Sequence, residues 1–343
     1  MRKVLLVVLL VIAVVGLGGI VFLNTLDSPL DPDSTAEINV EIPEGTGVNA
    51  IGDILESNGV ISSAFKFKLY NRISNHEGVL KAGSYTLSPS MDLGTIFDTM
   101  INATGEDVEF YLPEGLTIEQ TAQKLADQGV GTSEGFMDAI ENGTYDYSWL
   151  NGNSPEGYLL PDTYRVAKGS SETQIIDFLL KQFEQTVLPV YDSANQEIKD
   201  KYSLNEIVTV ASIIERECKV EDERAKVASV IYNRLDQGIK LEMCSTVQYL
   251  LLKETGEVKE TLLNSDLQIE SPYNTYQHFG LPPAPICSPG IASLKAALEP
   301  ADTEYLYFVL SSRLDGTSEF SRDYSKFLKD KDAYYEALNK ANG

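Results

Sequence analysis

The chain has 343 residues, with 27 Lys and Arg against 51 Asp and Glu, which gives a formal net charge of −24. This acidity argues against a nucleic-acid-binding protein and against a polybasic membrane-surface binder, since both need clustered cations. With only 2 His and 3 Cys, little material exists for a His- or Cys-rich metal site. We expect no metal and no cofactor. The length leads us to expect about two domains.

The first predicted element is a membrane anchor. Arg2 and Lys3 precede an uncharged, mostly apolar run at residues 4–23, and about 20 apolar residues can span a bilayer as a helix. A cleaved signal peptide is the alternative, but it has a shorter apolar region and a small-residue cleavage site. The positive-inside rule predicts a cytoplasmic N-terminus and an extracellular or periplasmic body. We therefore expect a cytoplasmic tip and single-pass helix at 1–26 and a polar linker at 27–36.

An internal repeat follows the linker. The sequence IPEG at 42–45 recurs as LPEG at 112–115, and further positions match at the same spacing of 70 residues. Each copy predicts a strand, a Pro-Glu-Gly turn and an amphipathic helix that ends at a glycine. Thr117 and Gln120 have the spacing of a capping box. Duplication and common turn chemistry are both compatible with this pattern, and duplication is favoured.

The remaining elements predict an α+β fold with a smaller and a larger domain. A strand is predicted at 81–87, and helices are predicted at 92–101, 171–193 and 195–202. We place the smaller domain at 37–107 and the larger at 108–338.

The segment 205–235 carries the most informative carboxylates. Its first half is apolar on almost all sides, which predicts a buried helix with Glu215 and Glu217 at its C-terminal end. Two residues on a helix span about 200°, so these side chains face nearly opposite ways. Burial and the helix dipole favour a protonated carboxyl there, as a general acid for glycoside cleavage requires. A surface ion-pair cluster with Lys219 and Arg224 is the alternative from this segment alone.

Three further features suggest contact with a polar substrate. Asn233 and Arg234 lie near the end of the next predicted helix, where residues of these types also cap helices or pair with acids. Asn274 lies between Tyr273 and Tyr276, ahead of a proline-rich loop at 280–286. Tyr rings stack on sugar faces and Asn bonds to hydroxyl and N-acetyl groups, although a loop packed by Tyr explains this composition equally well.

Taken together, these segments resemble the YceG-like (MltG) family of endolytic murein transglycosylases over nearly the whole chain. The resemblance rests on KAGSY at 81–85, EGY at 156–158, PDTY at 161–164, ASIIERE at 211–217, ERAKVASV at 223–230, NRL at 233–235, YNTY at 273–276, GLPP at 280–283 and the segment 289–300. It implies a LysM-like β/α subdomain at 37–107 and a mixed α+β catalytic domain at 108–338.

The resemblance also implies an activity. Family members are lytic transglycosylases that cleave nascent glycan strands at the MurNAc-GlcNAc β-1,4 bond and leave a 1,6-anhydroMurNAc end. Glu215 would then be the catalytic acid and base. The residues that would contact or orient the substrate are Asn274, Tyr276, Glu156, Asp162, Asn233, Arg234 and Glu217. The expected partners are peptidoglycan strands, together with peptidoglycan synthases and the elongation machinery.

The sequence departs from the family at one place that bears on the site. Cys244-Ser245-Thr246 stands where the family often has Asp-Pro-Thr, and an exported location makes a Cys244–Cys287 disulfide conceivable. Two other functions stay open. A wall-binding scaffold would have an inactive catalytic domain. A water-using muramidase would need a second carboxylate about 5–9.5 Å from Glu215, for which the candidates are Glu156, Asp162, Glu217 and Glu242.

Overall fold

The computed structural model describes residues 26–43, 45–74, 80–102 and 107–342. Six strands lie in the described residues: β1 Ile38–Ile42, β2 Gly83–Leu87, β3 Asp107–Tyr111, β4 Thr163–Ala167, β5 Tyr307–Leu310 and β6 Ser318–Ser321. The α-helices of the same ranges are α1 Val48–Ser57, α2 Ala64–Ile73, α3 Leu93–Ile101, α4 Ile118–Asp127, α5 Ser133–Asn142, α6 Glu172–Ser193, α7 Gln196–Lys201, α8 Leu204–Glu217, α9 Arg224–Asp236, α10 Cys244–Thr255, α11 Ile291–Leu298 and α12 Tyr324–Asn342. The predicted mixture of helices with small sheets is confirmed.

Within the described residues, no helix combines the length and the apolar character needed to cross a bilayer. The predicted anchor at residues 4–23 lies outside the described residues.

The chain forms two compact units. The first contains the described residues up to Phe110 together with Gly129–Gly131 and Tyr164–Phe178. The second contains Tyr111–Gln128, Thr132–Thr163 and the chain from Leu179 onward. The domain boundaries predicted from the sequence stay predictions.

The first unit is built around an antiparallel pair, β1 and β2, in which Val40 lies opposite Tyr85. Alternate residues of each strand face a core shared with the apolar sides of α1, α2 and α3. Phe67 and Phe97 stack in this core with ring centroids 4.6 Å apart. The start of α6 is joined to the turn before α1 by a hydrogen bond from the Gln174 side-chain amide to the carbonyl of Thr46.

The second unit is mainly helical, and α8 is its central element. A capping box of Ser203 and Glu206 starts α8, and every residue from Ile207 to Ile214 is buried. Such a helix needs neighbours on all sides, and α9, α10 and α11 pack against it. The antiparallel hairpin of β5 and β6 contacts α12 in the same unit.

Both copies of the predicted repeat have the expected local structure. Gly45 and Gly115 adopt left-handed φ angles of +78° and +79°, which favour glycine. A helix follows each turn, and each helix is followed by a left-handed glycine, Gly59 or Gly129. The capping box of Thr117 and Gln120 is confirmed. Common ancestry of the two copies stays a prediction.

Candidate functional site

Glu215 lies in the last turn of α8, directly after the buried run of that helix. Its side chain is 8% exposed. The helix packs on α11 at this end, so the carboxyl group projects from the end of a rigid core element toward the start of a second helix. A carboxyl held in this way has little freedom to reorient, which suits a group that must meet a substrate atom in one geometry.

The two oxygens of the Glu215 carboxyl have different surroundings. Oε2 accepts a hydrogen bond of 3.0 Å from the Gly290 backbone N–H and one of 2.8 Å from the Ser293 hydroxyl, both at the start of α11. Oε1 lies 3.4 Å from Nη2 of Arg224. Oε2 is therefore the anchored oxygen, and Oε1 is the oxygen that can carry and exchange a proton while the anchor stays in place.

Arg224 has unused hydrogen-bonding capacity at this point. Its side chain is 12% exposed, and its Nε is buried without a hydrogen-bond partner among the described residues. A buried guanidinium this close to a carboxyl strengthens its interaction when the carboxyl becomes an anion. Arg224 is therefore placed to stabilise Glu215 after it has given up a proton.

A second carboxylate lies beside Glu215, and the sequence reasoning missed it. A Cβ atom built on Gly290 would lie 1.7 Å from Oε1 of Glu114, so that carboxylate rests directly on the Gly290 backbone. Glu114 is exposed, and it has no hydrogen bond or ion pair among the described residues. Partial desolvation, followed by the negative charge of Glu215, raises the pKa of Glu114. The sequence repeat predicts a turn at this Pro-Glu-Gly sequence but gives no sign that Glu114 belongs to the site.

The turn of Glu114 is held against α8 by backbone contacts. The Gly115 N–H donates to the Ser288 carbonyl over 2.8 Å, and the Ser288 N–H donates to the Leu116 carbonyl over 2.8 Å. A Cβ on Gly115 would lie 3.7 Å from Cγ of Glu215 and 3.6 Å from Cδ of Arg216. The turn thus lies across the end of α8, in contact with two consecutive side chains.

Glu217 faces away from Glu215, as the helical spacing predicts. Its carboxylate accepts the Ser245 backbone N–H over 2.8 Å at the start of α10. Burial raises the pKa of Glu217. The residue joins α8 to α10, and its proposed contact with substrate is not supported by this position.

Three of the predicted substrate-binding residues, Asn274, Arg234 and Glu156, are buried. Asn274 is 0% exposed, and its side chain bonds to the carbonyls of Leu267 and Ile269 and to the Tyr276 N–H. These bonds shape the loop, and contact of Asn274 with sugar stays a prediction.

Asn233 and Arg234 also bond inward. The Asn233 side chain donates to the carbonyls of Thr303 and Tyr305. Arg234 is 6% exposed and donates to backbone carbonyls and to Glu242; the carbonyls are those of Leu306, Lys240 and Leu241. These internal bonds agree with the alternative for such residues, and their contact with substrate stays a prediction.

Glu156, Asp162 and Tyr276 have three different environments. Glu156 is 5% exposed and accepts the Ile118 N–H and the Tyr249 hydroxyl, so it too is a structural residue. Burial raises its pKa to about 8. Asp162 is exposed and accepts the neighbouring Thr163 N–H. Tyr276 is partly exposed, and its hydroxyl lies 3.1 Å from Sγ of Cys244. Asp162 and Tyr276 therefore both have side-chain surface that a substrate could contact.

The sequence left a Cys244–Cys287 disulfide open, and in the structure Cys218, Cys244 and Cys287 are free thiols. Cys287 is buried, with its Sγ 3.4 Å from the Ser212 carbonyl oxygen on α8. Cys244 is exposed and contacts Tyr276. The described residues contain no group of three or more His, Cys, Asp and Glu arranged to hold a metal ion.

Comparison with known proteins identifies the family. The model of the YceG-like family matches residues 40–333. An endolytic murein transglycosylase of Bacillus subtilis is 33% identical over 94% of this chain and 91% of its own length. One from Streptococcus pneumoniae is 31% identical over 83% of this chain, which spans 56% of that relative. A crystal structure of a yceG-like protein from Listeria monocytogenes, 34% identical, covers 86% of this chain and 99% of its own, with a TM-score of 0.57. The chain therefore belongs to the YceG-like family.

Proposed function

We propose that the protein is a membrane-anchored lytic transglycosylase that cleaves nascent peptidoglycan strands internally, at the MurNAc-GlcNAc β-1,4 bond. The observation that carries the proposal is Glu215, whose Oε2 accepts hydrogen bonds from Gly290 and Ser293 while Oε1 accepts one longer bond, of 3.4 Å, from Arg224. The substrate class is supported by the relatives from B. subtilis and S. pneumoniae, which are named endolytic murein transglycosylases.

The proposed reaction needs one proton carrier and no water. Protonated Glu215 gives its proton to the glycosidic oxygen, the bond from MurNAc C1 to that oxygen breaks, and GlcNAc leaves with a free 4-hydroxyl. The MurNAc 6-hydroxyl then attacks C1 and closes the 1,6-anhydro ring, while Glu215 takes the hydroxyl proton. Glu215 ends in the state in which it began. Arg224, 3.4 Å from Oε1, stabilises the carboxylate between the two transfers.

The test is cleavage of purified, uncrosslinked glycan strands, with the new ends identified by mass spectrometry. The parent protein is expected to release strands with anhydro ends, and Glu215→Gln is expected to lose about 1,000-fold or more in kcat. Glu299→Gln is the matched control, since this exposed carboxylate follows α11 without a side-chain bond among the described residues. Circular dichroism checks the fold of each variant. Cleavage by Glu215→Gln at the parent rate would show that the catalytic assignment is wrong.

A second reaction, hydrolysis by a muramidase, is favoured by one observation. Of the four carboxylates considered for a second acid, Glu156 and Glu217 accept backbone N–H groups and Glu242 pairs with Arg234. The fourth, Asp162, is exposed and accepts the Thr163 N–H. Glu114 instead offers an exposed carboxylate at the Gly290 backbone. The same assay separates the reactions, because a hydrolase leaves reducing ends that disappear in Glu114→Gln. No cleavage of any kind would favour the wall-binding scaffold.

The proposal includes an anchor and a wall-directed location. Residues 4–23 would hold the N-terminus in the cytoplasm and place the body outside the membrane, and residues 37–107 would act as a LysM-like subdomain. Cutting within nascent strands would limit their length beside the synthases and the elongation machinery. Cell fractionation tests the anchor: the full chain should stay with membranes after a high-salt wash, and a variant lacking residues 1–26 should not.

A further inference from the structure

An open depression lies beside Glu215 on the second unit. Its enclosed space is small, about 10 Å³, and it has Gly115 and Arg216 at one side. Its polar lining comes from the start of α4 and the start of α10, and consists of Thr117, Gln120, Ser245 and Gln248. Gly115 contacts the side chains of both Glu215 and Arg216, so this depression adjoins the proposed catalytic group.

The lining of the depression is both polar and apolar, and its apolar part consists of Tyr249, Leu252, Val258 and Ile286. The Ser245 side chain is 3% exposed, and both its backbone N–H and its hydroxyl are directed to the Glu217 carboxylate. Oε1 of Gln120 accepts the Thr117 N–H, which leaves its Nε2 as the free end of the amide. Gln248 donates from Nε2 to the Glu260 carbonyl, so its Oε1 is the one polar acceptor left over here.

Arg216 supplies a positive charge that no acid neutralises by an ion pair in the described part of the chain. Its side chain is exposed, and its hydrogen bond there is a long one of 3.5 Å from Nη1 to the Gly115 carbonyl. The acidic neighbours are already engaged: Glu119 pairs with Lys253, and buried Glu217 accepts the Ser245 N–H. A planar guanidinium with free N–H groups suits a carboxylate ligand.

We propose that this depression, the Arg216 pocket, binds a carboxylate of the stem peptide that peptidoglycan carries on the lactyl group of MurNAc. The inference rests on the proposed function and specifies its substrate. The glycan backbone is uncharged, whereas the peptide carries carboxylates on the same sugar whose C1 bond would be cleaved. A chain with a net charge of −24 repels such a peptide unless a local cation binds it. Arg216, one residue beyond Glu215 on α8, is that cation.

The test compares two substrates and a charge-removing variant. Uncrosslinked strands with intact peptides, and the same strands after an amidase has removed the peptides, are offered to the full-length protein. The parent is expected to show the lower KM on peptide-bearing strands. Arg216→Gln is expected to raise that KM about three- to tenfold and to reduce the preference, which corresponds to a partly exposed ion pair. Arg216→Lys should recover part of it.

A nearby charge provides the control. Lys219→Gln removes an exposed positive charge three residues further along, and it should keep the preference of the parent. The proposal would be overturned if Arg216→Gln raised the KM for both substrates equally, or raised neither KM. Equal losses in Arg216→Gln and Lys219→Gln would also overturn it, because the effect would then be general electrostatic attraction.

A binding measurement keeps this proposal separate from the proposed function. Calorimetry on the Glu215→Gln background compares a soluble disaccharide-peptide with the same disaccharide lacking the peptide. Tighter binding of the peptide-bearing ligand, lost on adding Arg216→Gln, supports the pocket even if the parent cleaves no strand. Equal binding of both ligands contradicts the pocket even if the parent proves to be a transglycosylase.

Discussion

The glycines that end the two Pro-Glu-Gly sequences, Gly45 and Gly115, share a backbone conformation and have different surroundings. Gly45 and Gly115 have nearly equal φ angles, +78° and +79°. A Cβ at Gly45 would meet only Cβ of Ser171, at 3.8 Å, whereas one at Gly115 would meet Arg216 and Glu215. The first turn supports the core of its own unit, and the second lies against the candidate catalytic residue.

The helices that follow the two turns also differ, in how firmly side chains hold their first turns. The N-cap of α1 is Gly47, which makes no side-chain bond, whereas Thr117 caps α4 with a reciprocal capping box. The buried Glu156 adds a further acceptor for the Ile118 N–H. The start of α4 is therefore fixed by three side chains, as a site that must position a carboxylate requires. The comparison teaches that a repeated local structure gains a chemical role from what packs against it.

Among the variants that test the difference between the two turns, the greatest loss of activity is expected from crowding the contact that only the second turn makes. In Gly290→Ala the new methyl group occupies the position of the Glu114 carboxylate, since the Cβ would lie 1.7 Å from its Oε1. Both Glu114 and the backbone N–H that holds Glu215 must move, and a displacement of about 1 Å costs on the order of 100-fold in rate. Strand cleavage measures the loss. Activity within twofold of the parent would show that the second turn is no part of the site.

A smaller effect is expected when both turns receive the same substitution. Gly115→Ala and Gly45→Ala place a β-carbon at a left-handed φ, which costs each variant about 1–2 kcal/mol of unfolding free energy. Only Gly115→Ala also moves a turn that touches Glu215, and it should lose about tenfold in cleavage rate, while Gly45→Ala should not. Denaturant unfolding and strand cleavage provide the two readouts. Equal losses of activity in both variants would remove the distinction between the turns.

The third prediction concerns the pH dependence of stability and the buried Glu156 at the start of α4, and no change of cleavage rate is involved. Its pKa is raised to about 8, whereas in the unfolded chain it is about 4.3. Between these values the folded protein holds a proton that the unfolded chain has released. The stabilisation is therefore complete below about pH 4.3 and is lost as the pH rises to about 8, by up to about 1.4 kcal/mol per pH unit. In Glu156→Gln this part of the pH dependence of urea unfolding should disappear. An identical profile in parent and variant would contradict the assignment.

The buried helix α8 could be predicted from the sequence, because apolar residues lie on almost all of its sides. Glu215 directly follows this apolar run. The opposite orientations of Glu215 and Glu217 followed from helical geometry alone. The second turn was located correctly by the repeat, including the capping box of Thr117 and Gln120. These features are set by residues close together in the sequence, so the spacing of residue types is enough to predict them.

The internal hydrogen bonds of the predicted contact residues could not be predicted from the sequence, because they depend on distant partners. Asn274 and Arg234 have the chemistry of sugar-binding residues, yet the carbonyls that they bond belong to loops whose proximity no local pattern reveals. Glu114 was missed for the same reason, because only the packing of Gly290 against it brings it to Glu215. Burial of a polar side chain is decided by tertiary contacts, and composition cannot indicate which residues will be used internally.

The anchored oxygen of Glu215 has a consequence for the history of such a site. Because Oε2 bonds to the first turn of α11 while the residue itself belongs to α8, the side chain also fastens two core helices together. A descendant that had lost catalysis would still be stabilised by a glutamate at this position. A glutamate at the same position of a relative is therefore evidence of the contact between α8 and α11 as much as of catalysis.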